Sequence, residues 1–239
     1  MIEQEDYIIP GGEGFKGNCL DGYLASGYYR MQHLLFTTNH TKEDVESNPI
    51  PVFWLRTPVN SIGENKSAIA IRKKCSGFSV RVRKATITAA IDDLYRLYRH
   101  HIDFNASADC SSCLHGYYLA NPFDSWMVEV CDKKKLIAVG YFDLGGNSLS
   151  GILNFYHPSY KKYSLGKFLM LQKIDYTLKT GRLYYYTGYI SPTVSKFDYK
   201  IFPDSTAMEV FLPDEKQWIP YNLIGKSGMA AYCLKHSLI

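Results

Sequence analysis

The segment from Phe155 to Tyr189, FYHPSYKKYSLGKFLMLQKIDYTLKTGRLYYYTGY, constrains the fold more than any other part of the chain. An aromatic, strand-like run passes through a short basic loop into one helix and then directly into a second aromatic run. Leu165, Phe168, Leu171, Ile174 and Leu178 recur at steps of three and four, which marks one packed helix face. Gly181 follows, free to take the left-handed conformation that ends a helix. Two strands joined through a helix normally run parallel with a right-handed crossover. A sheet with a parallel pair and this helix packed on it is therefore expected.

The flanking sequence supplies the rest of that sheet. SWMVEVCD, KLIAVGYFDL and LSGILNFYH read as three successive strands, with turns at Lys133 to Lys135 and at GGNS. After RLYYYTGYI, the segment SKFDYKIF reads as a short helix, and AMEVFLP and QWIPY as closing strands. Upstream, Asp21 is placed to cap a short helix through Ala25 that Gly27 stops. YYRMQHLLFT and VFWLRTPV read as a hairpin around the charged loop HTKEDVESNP. FSVRVRKATI alternates Phe78, Val80 and Val82 against Arg81 and Arg83, and an amphipathic helix with Ile91, Leu94 and Tyr98 starts near Thr88. The aperiodic polar stretch from Asn105 to His115 is the expected lobe boundary. The class is α/β (α+β): a smaller α+β lobe over residues 1–104, then a mixed sheet with packed helices over 105–239.

Composition narrows the partners. A formal net charge of +4 over 239 residues is modest, so a nucleic acid must be met by local patches and not by a global field. Of six cysteines, Cys110 and Cys113 alone form a Cys-x-x-Cys pair; a zinc ribbon needs a second, and this one reads as a polar loop. No apolar run approaches eighteen residues and no leader pattern opens the chain, so a cytoplasmic protein with reduced thiols and no membrane association is expected.

The chemistry concentrates where the long helix begins. The first turn of a helix leaves backbone N–H groups without partners and carries partial positive charge, which attracts anions. Here Lys161, Lys162 and Lys167 surround Ser164, Leu165 and Gly166. Either these residues meet a phosphate, or Ser164 caps the helix and the lysines are solvated. In the following strand Tyr184, Tyr186 and Gly188 fall on one face and Tyr185, Thr187 and Tyr189 on the other. One row enters the core; the other either packs too or stacks on a base. Lys196 and Lys200 stand a helical turn apart and either share one phosphate or form a solvated face. Arg81 and Arg83 read as the outer face of a strand, and His100 and His101 point to different helix faces.

The stretch from Leu136 to Pro203 resembles the C-terminal half of the aminoacyl-tRNA–protein transferases, the arginyl- and leucyl-transferases of the N-degron pathway. The similar elements are the strand ending in Asp143, the FYHP strand end, SLG at the helix start, YYYTGYI, and KFDYKIFP. Upstream, SGYYRM, PVFWLR and YRLYRHH resemble the family's Gly-aromatic-Arg-Arg, Pro-x-Arg and Tyr-x-x-x-Arg-His stretches. The resemblance implies a GNAT-like fold in which the helix start receives the aminoacylated end of tRNA, as it receives the pyrophosphate of coenzyme A in acyl-CoA enzymes. The family's N-terminal cysteine cluster, associated with metal or iron–sulfur binding, is reduced here to Cys19, so no metal or cofactor is implied. His157 stands where the family usually has Asp, and Tyr29–Arg30 where it has Arg-Arg.

The implied activity is aminoacyl-tRNA-dependent transfer of arginine or leucine to the N-terminal α-amine of a protein, with acyl-CoA-dependent N-acyl transfer or a noncatalytic binding module as the alternatives. The ester is already activated, so positioning and hydrogen bonding supply most of the catalysis, with a carboxylate or a Tyr relaying the proton. Asp143 and Tyr186 are the candidates, although Asp143 also suits a turn before LGGN. Lys161, Lys162, Ser164, Leu165, Gly166, Lys167, Lys196 and Lys200 are the candidates for holding the carrier. Tyr156, His157, Gly188 and Tyr189 line the expected cleft. Arg30 and Arg56, on the two strands of the expected hairpin, are suited to an acidic N-terminal side chain, since a guanidinium pairs bidentately with a carboxylate.

Overall fold

A computed structural model of the chain describes residues 6–42, 48–63, 65–102, 106–114 and 121–236. Part of the expected charged loop, residues 43–47, and both ends of the expected lobe boundary, Asn105 and His115, lie outside the described residues. The first third of the chain forms β1 (Asp6–Ile8), α1 (Gly17–Ala25), β2 (Tyr29–Met31), β3 (Leu34–Thr37), β4 (His40–Thr41), β5 (Ile50–Pro51), β6 (Phe53–Pro58), α2 (Lys66–Lys74) and β7 (Ser79–Lys84). Next come α3 (Ala89–Arg99), α4 (Cys110–Leu114), β8 (Ser125–Asp132), β9 (Lys135–Leu144) and β10 (Ser148–Tyr156). The chain continues with α5 (Leu165–Lys179), β11 (Tyr184–Ile190), β12 (Glu209–Leu212), β13 (Gln217–Pro220) and α6 (Tyr221–Lys235). No helix among the described residues is long and apolar enough to cross a membrane.

Eight strands form one mixed sheet in the order β13-β12-β6-β11-β10-β9-β8-β7. β8, β9 and β10 meander antiparallel as expected, and β10 and β11, joined through α5, run parallel. The smaller sheet, β1-β3-β2, lies beside the large one. Helices α2 and α5 cover Val128, Ala138, Phe142, Leu149 and Tyr185, while α6 covers Phe53, Leu55 and Val210. On the opposite face, α3 and α4 pack against Met127, Val139, Tyr141 and Phe155, and α1 with the small sheet packs against Trp54, Tyr186 and Phe211. Burial on both faces suits the near-continuous apolar runs of these strands.

Several expectations are corrected by this topology. YYRMQHLLFT is not one strand: Gln32 takes a positive φ of 55°, and β2 folds back antiparallel on β3. VFWLRTPV does not pair with it. β6 is buried on both faces through Phe53, Trp54 and Leu55, needs cover from two sides, and takes a place between β12 and β11. Arg30 and Arg56 therefore belong to different sheets. Because β6 and β7 enter the same sheet as β8 to β13, a division between residues 104 and 105 runs through one sheet. Asp21 sits inside α1 and accepts from the Asn147 N–H at 2.7 Å, so it ties α1 to the β9–β10 turn instead of capping a helix. Helices α2, with Asn65 accepting from the Ala68 N–H, and α6 go beyond what the sequence pattern suggested.

Candidate active site

The two parallel strands hydrogen-bond only at their beginnings. Ser148, Leu149 and Ser150 of β10 align with Tyr184, Tyr185 and Tyr186 of β11, and beyond that the strands part. A bulge interrupts each just after the last paired residue. In β10 the register against β9 shifts between Gly151 and Leu153, and in β11 the register against β6 shifts between Tyr186 and Gly188. A bulge bends its strand and increases the local twist. Each strand thus stays with its outer neighbour and leaves its inner one. The gap opens a cavity of about 620 Å³, walled by Gly151 to Asn154 of β10, Thr187 to Tyr189 of β11, and the first turns of α5.

The N-terminus of α5 points at the rim of this cavity by an unexpected route. A turn of 3-10 helix, Pro158–Tyr163, precedes it, and Ser164 between the two helices takes the left-handed conformation (φ 55°, ψ 45°). The Ser164 side chain accepts no capping bond, so the first-turn N–H groups of α5 are not capped by it. Lys161, Ser164, Gly166 and Lys167 all line the cavity. Farther in, Lys200 places Nζ 4.0 Å from the centre of the Tyr189 ring and 5.1 Å from that of Phe197. Burial among these rings pushes its amine down to about 7. Gly188, at φ 106°, makes this approach possible: a Cβ there would lie 3.2 Å from Nζ.

Of the residues singled out in the sequence, Arg30, Tyr156, Lys161, Ser164, Gly166, Lys167, Gly188, Tyr189 and Lys200 converge on this cavity. Leu165 does not; it is fully buried in the core beneath α5. Lys162 directs Nζ toward the ring of Tyr163, 5.3 Å away, outside the cavity walls. Lys196 is exposed and also outside them. Residues Ser195–Ile201 form a 3-10 helix, in which positions four apart are rotated by about a third of a turn, so Lys196 and Lys200 do not share a face. His157 Nε2 lies 3.1 Å from Lys135 Nζ, and burial, then the charge of Lys135, lowers its pKa.

Three further candidates are occupied by structure. Asp143 is 1% exposed and accepts from Arg30 Nη1 at 2.8 and 3.0 Å and from the Ser125 hydroxyl. Arg30 donates as well to the carbonyls of Gln32 and Leu114 and lies 4.3 Å from the centre of the Phe123 ring. The pair thus clamps β2 to β9. Arg56 is boxed by Glu209 and by the rings of Tyr184 and Trp218 at 4.5 and 4.4 Å. Tyr186 is buried against Tyr29 on the small-sheet side, and burial pushes its phenol up to about 12. The bulge at Thr187 breaks the simple alternation read from the strand, and Tyr185, Thr187, Gly188 and Tyr189 together reach the cavity.

Sequence reasoning missed Lys173, Asn154 and Tyr199, which also form the walls. Lys173 is 1% exposed; its Nζ donates to the Tyr141 carbonyl at 2.7 Å and to Asn154 Oδ1 at 2.9 Å. Burial pushes its amine down to about 7 against the opposing pull of the Asp143 charge. The signal was present: α5 buries a second stripe, Leu169, Met170, Lys173 and Thr177, in which one residue is a lysine, whereas the expected Leu178 is 44% exposed. Among the described residues no Asp or Glu lines the cavity.

The model of the arginine-tRNA-protein transferase C-terminus family matches residues 91–205. That range holds β8 to β11, α5 and most of the cavity. An aspartate/glutamate leucyltransferase of Leptospira interrogans serogroup Icterohaemorrhagiae serovar copenhageni is 31% identical over 227 residues, 91% of this chain and 84% of that protein. One of Acinetobacter baumannii is 30% identical over 128 residues, 53% of this chain; the match takes in only 46% of that relative, about half its length. Among solved structures, FemX is 8% identical with a TM-score of 0.43, covering 75% of this chain and 61% of that one. A DUF2156 domain from Agrobacterium fabrum is 10% identical with a TM-score of 0.46, covering 59% and 49%. The likeness to the Leptospira protein runs through both the cavity region and the N-terminal strands that Arg30 fastens to it, and on that extent the chain belongs to the family of aminoacyl-tRNA–protein transferases.

Proposed function

We propose that the chain transfers an aminoacyl group from aminoacyl-tRNA to the N-terminal α-amine of a protein, in the cytoplasm, and that the cavity between β10 and β11 holds the aminoacylated end. The observation that carries this reading is the opening of a parallel strand pair beside an uncapped helix start with Lys161 and Lys167 at its rim. Such a rim suits the terminal phosphates of a tRNA. The aromatic walls suit the terminal adenine, since ring faces hold bases by stacking.

The walls also favour one donor. An arginyl side chain entering here would meet lysines and no carboxylate, whereas an apolar leucyl side chain fits against Met170 and the aromatic rings. The names of the Leptospira and Acinetobacter relatives carry the same amino acid and point to aspartate or glutamate as acceptors. An acidic acceptor side chain would lie beside the amine of Lys200 and, as a nearby opposite charge, favour its protonated form. The test is incubation of the full chain with labelled leucyl-tRNA or arginyl-tRNA and peptides beginning with Asp, Glu, Arg or Lys. Leucine label in the Asp and Glu peptides is expected. Label delivered only from an acyl-CoA, or none from either carrier, would overturn the reading.

A further inference from the structure

We infer that Lys173 accepts the proton of the attacking α-amine and returns it to the departing ribose oxygen; the inference rests on the transfer reaction proposed above. The geometry of its amine sets it apart from the other basic groups of the cavity. Nζ donates to two neutral acceptors, the Tyr141 carbonyl at 2.7 Å and Asn154 Oδ1 at 2.9 Å. A neutral amine has two N–H bonds and one lone pair, so these contacts use both hydrogens and leave the lone pair. Lys173 and Asn154 both line the cavity, Lys173 from beneath its surface at 1% exposure, so the role requires the remaining lone pair to face the gap between the strands.

The fold makes room for this arrangement at a specific place. Lys173 reaches across β9 at Gly140, where an added Cβ would lie 3.2 Å from Lys173 Cε and 2.6 Å from Asn154 Oδ1. Glycine inside a strand often marks such a close approach. Tyr141, whose carbonyl Lys173 engages, stands opposite the β10 bulge that opens the cavity. The same irregularity therefore parts the strands and turns the lysine's contacts toward the gap.

In the reaction the α-amine nitrogen attacks the ester carbonyl carbon. The new C–N bond forms, and the bond from that carbon to the ribose oxygen breaks. The proton shed by the nitrogen passes to Nζ of neutral Lys173, and the resulting ammonium gives a proton to the ribose oxygen. The tRNA leaves with a free hydroxyl, the product is an amide, and the lysine is neutral again. Burial holds the Lys173 amine near 7, close to the working pH, where a general base is most effective. The charged groups around it are Asp143 of β9, already paired with Arg30 of β2, and Lys161 and Lys167 on the walls; Lys200, also on the wall, has an amine that burial likewise pushes down to about 7, and it titrates alongside Lys173. Phenols face the cavity from α3, β10, β11 and the 3-10 segment: Tyr95, Tyr98, Tyr156, Tyr185, Tyr189 and Tyr199. Burial pushes those of Tyr95, Tyr98, Tyr185 and Tyr199 upward, away from the pH range of the test.

The test uses the full chain with leucyl-tRNA and an Asp-initiated peptide. In Lys173→Met, kcat is expected to fall by about 10² to 10⁴ while KM for both substrates stays within about threefold. Asn154→Asp keeps the lysine but sets a carboxylate beside it, which raises its pKa. The rising limb of the kcat/KM pH profile is then expected to move at least one unit to the alkaline side, with activity recovered by pH 9. The peptide's own amine titrates identically with both proteins, so the displacement belongs to the enzyme. Lys173→Met retaining kcat within threefold, or an Asn154→Asp limb that stays in place, overturns the role while leaving the transfer activity intact. If Lys173→Met does not fold, the Asn154→Asp profile decides alone. A wild-type chain inert with every aminoacyl-tRNA sinks both this role and the reading beneath it.

Discussion

Two basic side chains reach the cavity wall from opposite layers, Arg30 from β2 and Lys173 from α5, with side chain and residue only 2% and 1% exposed respectively. Arg30 meets a carboxylate, a hydroxyl and two carbonyls, and all of those contacts except the one to the Gln32 carbonyl in its own turn join the small sheet to the body of the protein. Lys173 meets one carbonyl and one amide oxygen, neither charged. A guanidinium remains protonated in both settings, so its burial requires a counter-ion, whereas an amine without one moves its pKa toward neutrality. The first arrangement fixes two layers in place. The second stores a group able to change its charge.

The largest effect tests the first half of that contrast. Removing one member of a buried ion pair strands the other, at about 3 to 5 kcal/mol. Asp143→Ala is expected to lose stability of this order in a urea titration, and Arg30→Met similarly. Combining Arg30→Met with Asp143→Leu should cost less than the sum of the single changes, because neither charge is then left alone. A loss under 1 kcal/mol for Asp143→Ala would show that the pair does not clamp the layers, and would return Asp143 to candidacy for gripping the acceptor amine.

The second half has a thermodynamic signature independent of activity. The amine of Lys173 is held at about 7 in the folded chain, against about 10.4 for an unfolded lysine. Between those values the unfolded chain binds the extra proton, so this residue's contribution to stability improves as pH rises above 7 and is flat below it. The difference in unfolding free energy, wild type minus Lys173→Met, is therefore expected to grow by roughly 1 kcal/mol per pH unit between pH 7 and 9. Buried thiols such as Cys75 and Cys110, whose pKa values burial raises, act in the opposite direction at the alkaline end and cancel in the difference. A difference that does not change with pH would mean that Lys173 is no harder to protonate than a surface lysine.

The contrast also explains what could be read without coordinates. The meander β8 to β10, the parallel crossover through α5 and the start of α3 at Thr88 follow from local periodicity and capping, and all three were legible. The placement of Arg30 and Asp143 was not, because it depends on strands 113 residues apart in sequence meeting across two layers. Lys196 and Lys200 misled because an α-helical spacing was applied to a segment that folds as 3-10 helix. The bulges after Ser150 and Tyr186 left only glycines, Gly151 and Gly188, as traces in the sequence, and glycine in a strand has several uses. Lys173 was hidden by its position on a helix face whose companion stripe gave the stronger apolar signal.

The smallest effects concern the rim, where charge meets water. Lys161 and Lys167 line the cavity mouth beside the start of α5, while Lys196, four residues before Lys200, is exposed outside it. If the rim holds tRNA phosphates, Lys161→Ala and Lys167→Ala should each raise KM for leucyl-tRNA several-fold, leave kcat within twofold, and lower the slope of log KM against log salt by about one. Lys196→Ala should leave all three within twofold. These substitutions remove screened surface charges, so their effects are expected to fade above about 0.3 M salt, where the Debye length drops below the reach of a lysine side chain. Equal losses at Lys161, Lys167 and Lys196 would point to a diffuse attraction across the surface, and the uncapped helix start would then lose its claim to orient the tRNA end.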